Sequence, residues 1–360
     1  MLFQKKIYIC NQYDLPRFPL EQRTRGGLRV FMLFYIFMAD GSEEKVSYRK
    51  KPLSVKMQIA KLKGRGLIID DENLTSEYLL NISYYRLRAY TYPFQNNSPE
   101  ADHEFIRKNI HFKDVIDLYC FDRRLRALIF NAIEKIEVSI RTKIIQIYGE
   151  STGNSHWFED ETLFKDNSKW IDEEKIFAYD TLSDDILREV NRSNEDFIKH
   201  YKSKYSIPET PPAWMALEVV SLGTLSHLYE LLKKDDNKKT VAKYFGLNKI
   251  DVLENWMHAL STLRNCCAHH GRIWNRRFTV GVLFPTNTDY LFLDRDTIAK
   301  TRQNKLFAYL CCIKYILDII SPNNDFHKNL KDLIANGGNL LSLKEMGFPD
   351  NWNYLGVWKG

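Results

Sequence analysis

Residues 112–148 read FKDVIDLYCFDRRLRALIFNAIEKIEVSIRTKIIQIY, with Ile116, Leu125, Ile129, Ile133, Ile136, Ile140, Ile144 and Ile147 at helical spacing. Apolar residues recurring at three- and four-residue steps line one face of a 3.6-residue helix. The stretch therefore predicts one long helix, or two nearly collinear ones, with Arg123, Arg124, Arg126, Lys135, Arg141 and Lys143 on its other face.

The same helical period dominates outward from this stretch in both directions, with few alternating runs that read as strands. On the N-terminal side a helix starts at Ser54 and ends at the Gly64/Gly66 pair. A second runs from about Ser76 through the Tyr84 region and yields near Pro93. Residues 96–101 are polar and contain proline, which marks a linker. On the C-terminal side an aromatic segment around Trp157 and Trp170 reads as looped, and residues 183–205 return to a charged, exposed helix. Pro211-Pro212 opens a further helix, Gly223 divides it from the next, and Gly246 ends a third. Asn248 is placed to cap a helix whose apolar stripe is Leu253, Trp256, Leu260 and Leu263, with Gly271 as its stop. Residues 279–295 suggest a short hairpin, and residues 296–320 a strong helix stopped by Pro322. The predicted architecture is mainly α: an antiparallel helical bundle with a small N-terminal helical unit (residues 51–95), a core over residues 110–355 and irregular insertions.

The chain has 360 residues, 44% of them hydrophobic and 27% charged, enough to bury a sizeable core in one large domain or two. A formal charge of +6 leans towards a polyanionic partner, although 52 basic against 46 acidic side chains is a modest excess. Cys10, Cys120, Cys266, Cys267, Cys311 and Cys312 form no CxxC pair, which fits reduced thiols in a cytoplasmic protein. The one continuous apolar run, residues 30–39, is too short to span a bilayer as a helix. Arginines ahead of it give it the look of a signal peptide. A start at Met38 and a genuine N-terminal extension over residues 1–50 are the other readings.

Chemistry concentrates in residues 263–276, LRNCCAHHGRIWNR. An imidazole moves protons near neutral pH, and a guanidinium stabilises the added charge of a five-coordinate phosphorus, so the set suits phosphodiester chemistry on RNA. Arginine followed five positions later by histidine is weak alone: 21 Arg and 9 His in 360 residues give about 0.5 such pairs by chance. In an ideal helix Asn265 and His269 share a face, whereas Arg264 lies about 140° around from His269. A structural role stands beside the catalytic one, since Arg264 and His269 also suit the carbonyls at a helix C-terminus. Cys266 and His270 are four apart, yet no second pair stands at ligand spacing, and neither a metal nor a cofactor is expected. Arg272, Arg276 and Arg277 beside Trp274 read as a basic, aromatic rim for single-stranded RNA or as a solvated surface. Arg86 and Arg88 interleave with Tyr84, Tyr85, Tyr90 and Tyr92 either as a base-stacking surface or as core. Glu137 and Arg141 are one turn apart and pair on the long helix.

The chain resembles the Abi-like family of abortive-infection proteins of the AbiD/AbiF type, whose core belongs to the HEPN superfamily of metal-independent ribonucleases. The resemblance rests on QIAKLKGRG (58–66), YYRL (84–87) with Tyr90 and Pro93-Phe94, FDRRLR (121–126) and EVSIR (137–141). It continues through PPAW (211–214) with Glu218, SLG (221–223), the Arg264 segment, and Gly347-Phe348-Pro349 with Trp352. It implies Arg264 and His269 as a catalytic pair, with Asn265 at the phosphate and His270, Glu137 and Arg141 in support. It also implies 2′-hydroxyl attack leaving a 2′,3′-cyclic phosphate, a homodimer that assembles a composite site from two motif helices, antiphage defence in the cytoplasm, and a regulatory RNA besides the target. DNA lacks the nucleophile and is not expected to be cut. Two rival readings are a non-catalytic RNA-binding or RNA-sensing module and one half of a toxin–antitoxin interaction bundle.

Overall fold

Ser54, read as the start of the first helix, is its N-cap: it accepts the Met57 N–H at 3.3 Å, and α1 runs over Val55–Gly64. The computed structural model describes residues 47–171 and 174–359, so the expectations for the start of the chain lie outside the described residues. The expected second helix is two. Asp71 caps α2 (Glu72–Ile82), Ser83 turns at φ 74°, and its hydroxyl accepts the Arg86 N–H at the start of α3 (Tyr84–Thr91). The chain that follows the segment read as a linker folds back on these helices: Asn96 N–H bonds Glu104 O, Phe105 N–H bonds Arg65 O, Ile106 N–H bonds Phe94 O, and Phe112 N–H bonds Ile68 O. The described residues from Leu53 onward form one compact unit.

The 112–148 stretch is one uninterrupted helix, α4 (Phe112–Thr152). Its 41 residues extend about 60 Å at 1.5 Å per residue. Asp114 accepts the His111 N–H at 2.9 Å at its start, and Gly153 at φ 63° ends it. Seven of the eight predicted apolar positions are buried, and Ile147 is half-buried beside the buried Tyr148. The polar face is not wholly exposed, because Arg126 and Arg141 are both buried.

After α4 the chain forms a two-stranded antiparallel ribbon, β1 (Ser168–Ile171) with β2 (Glu174–Phe177), where a loop was expected. It continues through α5 (Ala178–Arg192), α6 (Asp196–Lys204), the single turn α7 (Ala213–Ala216), α8 (Leu222–Leu231), α9 (Asp236–Tyr244) and α10 (Ile250–Ala268). Pro212 stands at the N-cap of α7, and Gly223 lies inside α8, whose cap is Ser221. Lys249, not Asn248, flanks α10, and the Asn248 amide donates to Asp289 at 3.2 Å instead. The predicted stripe of α10 is fully buried: Leu253, Trp256, Leu260 and Leu263 are at most 1% exposed.

Residues 279–295 form no hairpin, because their backbone groups are taken by neighbours. Asn255 on α10 donates to Gly281 O and accepts from Leu283 N–H, Trp256 donates to Leu283 O, and Tyr309 donates to Val280 O. The helix expected over 296–320 is split into α11 (Arg295–Lys300) and α12 (Leu306–Ile320). Between them the carbonyls of Gln303 and Asn304 accept from Val282 and Phe278, hydrogen bonds that compete with a continuous helix. The last long element is α13 (Phe326–Ala335). Helices α3, α9, α10, α12 and α13 all pack on α4, and α8 packs on both α4 and α10, an all-α bundle around one long central helix. Among the described residues no helix is long and apolar enough to cross a membrane.

Candidate functional site

The site is built at the C-terminal end of α10. Leu263 and Cys267 face the core, which leaves Arg264 half-buried and Asn265 exposed on the outer side of the last turns. Burial pushes the Cys267 thiol up to about 12, so it is a poor nucleophile. Arg264 lays its guanidinium 5.5 Å over the ring of Phe130 on α4 and donates to the Asn265 side-chain oxygen at 3.4 Å. A guanidinium over a ring face is held by the ring quadrupole and keeps its edge donors outward.

His269 is the C-cap residue, exposed, with its N–H bonded to Asn265 O at 3.0 Å. The helix therefore ends before Gly271, which was the expected stop. His270 N–H bonds Cys267 O at 3.0 Å and Gly271 N–H bonds Cys266 O at 2.8 Å, the paired bonds of a Schellman turn. The left-handed position of that turn is His270 at φ 57°, where glycine is the usual occupant. Gly271 is needed for space: a Cβ there would stand 2.8 Å from Cys266 Sγ and 3.2 Å from Cys266 O. The side chains of Arg264 and His269 are not hydrogen-bonded to each other.

The turn is held from below by an acid that the sequence reading passed over. Asp122 is 0% exposed and accepts from Tyr90 Oη at 2.7 Å, Trp274 N–H at 2.8 Å, Ile273 N–H at 3.2 Å and the Arg126 guanidinium. Arg126 also donates to Gly271 O at 3.2 Å. Burial pushes the Asp122 carboxyl above the usual carboxylate range, while Arg126 and the neighbouring donors oppose that. A signal did exist: Asp122 falls on the stripe Leu118, Leu125, Ile129, where an acid is out of place unless something pairs with it.

The remaining predicted residues divide. Trp274 was expected on an RNA-facing rim, but it is 1% exposed and stacks on Phe94 with centroids 6.3 Å apart and planes 8° apart. It is core, and so it offers no ring to a base. Arg272 is half-buried and donates to Ala89 O on α3. Arg86 is exposed, but it donates to His270 O at 2.9 Å. Arg88 meets His103 at 3.1 Å and lies 5.1 Å over Tyr92. Arg276 is half-buried and Arg277 exposed, both on the chain leaving the turn. Glu137 and Arg141 do pair, at 2.8 Å, and Arg141 also donates to Val220 O at 3.0 Å. They tie α4 to the start of α8, and Glu137 lies about 10 Å along the α4 axis from Phe130. None of their hydrogen bonds reaches the α10 turn. Among the described residues no three His, Cys, Asp or Glu side chains converge as metal ligands.

Comparison with curated proteins and with solved structures gives no significant match. The family model for Abi-like proteins matches residues 77–275, more than half of the chain. The match opens in α2, takes in the buried Asp122 and Arg126, and closes at Asn275 just past the α10 turn. A chain matched over that span belongs to the Abi-like family and is an abortive-infection-type protein.

Proposed function

We propose that this protein is a metal-independent endoribonuclease with a HEPN-type core, acting in the cytoplasm to stop growth when phage infects. The observation that carries the reading is the end of α10, where a guanidinium braced on Phe130 and an amide stand one turn from an exposed imidazole. In the reaction the RNA 2′-hydroxyl attacks the adjacent phosphorus as His269 accepts its proton. The P–O5′ bond breaks, the 5′-oxygen takes up a proton, and the products are a 2′,3′-cyclic phosphate and a 5′-hydroxyl. Arg264 and Asn265 bind the phosphoryl oxygens and stabilise the charge that builds on them. Arg264 and His269 leave the helix at about 140° to each other, which favours a homodimer in which each copy contributes to a composite site. Arg277 and the outer edge of Arg276 add positive charge along the path of the strand.

The test is cleavage of labelled single-stranded RNA in EDTA, beside the same sequence as DNA. Wild type is expected to yield cyclic-phosphate ends from RNA only. His269→Ala is expected to lose about 10²- to 10⁴-fold in rate with RNA binding retained. Salt-sensitive RNA binding with no cleavage under any activating condition would overturn the catalytic reading in favour of an RNA sensor, and an absence of binding would favour an interaction bundle.

A further inference from the structure

Beyond the α10 carbonyls that close it, the His269–His270 turn and the residues after it are held by hydrogen bonds from two other helices. From below, the Asp122 carboxylate on α4 holds the Ile273 and Trp274 N–H groups, and Arg126 holds Gly271 O. From above, Arg86 on α3 holds His270 O at 2.9 Å, while Arg272 returns a bond from the turn to Ala89 O on the same helix. Tyr90 on α3 closes the circuit by donating to Asp122. The Arg86 and Arg126 bonds fix carbonyls of the turn, the Asp122 bonds fix the N–H groups that follow it, and the Arg272 and Tyr90 bonds tie that frame to α3. The turn itself is held in a conformation that costs a histidine energy, with His270 at φ 57°, and such a turn persists only where its surroundings over-determine it.

We propose that Asp122 and Arg86 are positioning residues of the site: they lock the strained turn at His270 and thereby set the direction in which His269 presents its imidazole. This rests on the ribonuclease reading for its consequence in rate, though not for its geometry. It also changes the role of Arg86. The sequence places it among RNA contacts, whereas its guanidinium is committed to His270 O. A positioning group that acts through one hydrogen bond typically alters rate by about 10- to 100-fold, the scale set by a misplacement of roughly 1 Å at the reacting atoms.

The experiment compares wild type with Arg86→Ala and Asp122→Asn. The first is an exposed change that leaves the core intact. The second keeps an acceptor for Trp274 N–H but removes the charge facing Arg126. Two readouts are taken: kcat and KM on RNA, and the ¹H–¹³C imidazole resonances of His269 and His270, assigned from the single alanine variants. Both variants are expected to lower kcat about 10- to 100-fold with KM nearly unchanged, and to shift or broaden only those two imidazole signals. If Arg86→Ala raises KM and leaves kcat and the resonances alone, Arg86 is an RNA contact and the proposal falls. If Asp122→Asn does not fold, Arg86→Ala alone decides by the same criteria. If wild type cleaves no RNA, the ribonuclease reading fails, and the resonances of Arg86→Ala still decide whether the turn is locked as described.

Discussion

Replacing Asp122 by alanine should be among the most destabilising single changes in this protein, and its cost can be worked from the contacts. The carboxylate is 0% exposed and takes hydrogen bonds from Tyr90, Arg126, Ile273 and Trp274. Alanine would leave the Arg126 guanidinium, 6% exposed, without its counter-charge, a loss of about 3–5 kcal/mol for a buried pair broken on one side. The two backbone N–H groups would lose their acceptor at about 1–3 kcal/mol each. Arg126 keeps Gly271 O at 3.2 Å and Tyr90 Oη at 3.3 Å, and water can enter the space vacated, so the terms do not add in full. A net loss of about 5 kcal/mol is expected, a large share of the ~5–15 kcal/mol that folded proteins usually possess. Urea unfolding followed by tryptophan fluorescence and far-UV circular dichroism measures it. Arg126→Met completes a double-mutant cycle: removing both charges should cost at least about 2 kcal/mol less than the sum of the single changes. A loss under about 1.5 kcal/mol for Asp122→Ala, together with additivity within ~0.5 kcal/mol, would refute the claim that this pair anchors the turn.

Three further outcomes follow from the same structure. Trp274→Ala should cost about 3–5 kcal/mol, as for other buried aromatic truncations, whereas Trp274→Phe should leave RNA affinity at the wild-type value; a selective loss of RNA binding in a stable Trp274→Phe protein would return the ring to the binding surface. His270→Gly should stabilise the fold by about 0.5–1 kcal/mol by relieving the left-handed turn, read as a higher urea midpoint, and an unchanged or lower midpoint would show the turn to be unstrained. Burial raises the phenols of Tyr90, Tyr148 and Tyr229 well above the ordinary phenol value of 10.0. Above pH 10 the unfolded chain releases these protons while the folded protein retains them, so stability is lost as pH rises. The slope should be about 1.4 kcal/mol per pH unit for each phenol, or roughly 4 for the three, and a flat profile between pH 10 and 12 would count against their burial.

The helices were legible because their information is local. The stripe of α4 and the Leu253–Leu263 stripe of α10 are written at three- and four-residue spacing, and every residue on them that was expected in the core is buried or half-buried. The helix start at Ser54 showed for the same reason, since its hydroxyl needs only the N–H three residues on. Breaks caused by neighbours were not legible. The chain divides at Ser83 and across residues 301–305 without a proline, and the latter gap is occupied by hydrogen bonds from Phe278 and Val282.

For the site, the sequence by itself determined which chemical groups stand at the end of α10 and that Arg264 diverges from His269, because helical geometry fixes both. Only the tertiary structure decided which charges are exposed. Asp122 and Arg126 sit in the core, Trp274 is buried against Phe94, and Arg86 and Arg272 are spent on backbone carbonyls. A buried charge is tolerated only when other groups satisfy it, and besides Arg126 one turn on, the partners of Asp122 lie 32 residues away at Tyr90 and 151 at Ile273. Local spacing carries no record of such pairings, since they exist only once the bundle has closed and water has been driven from between α3, α4 and the turn.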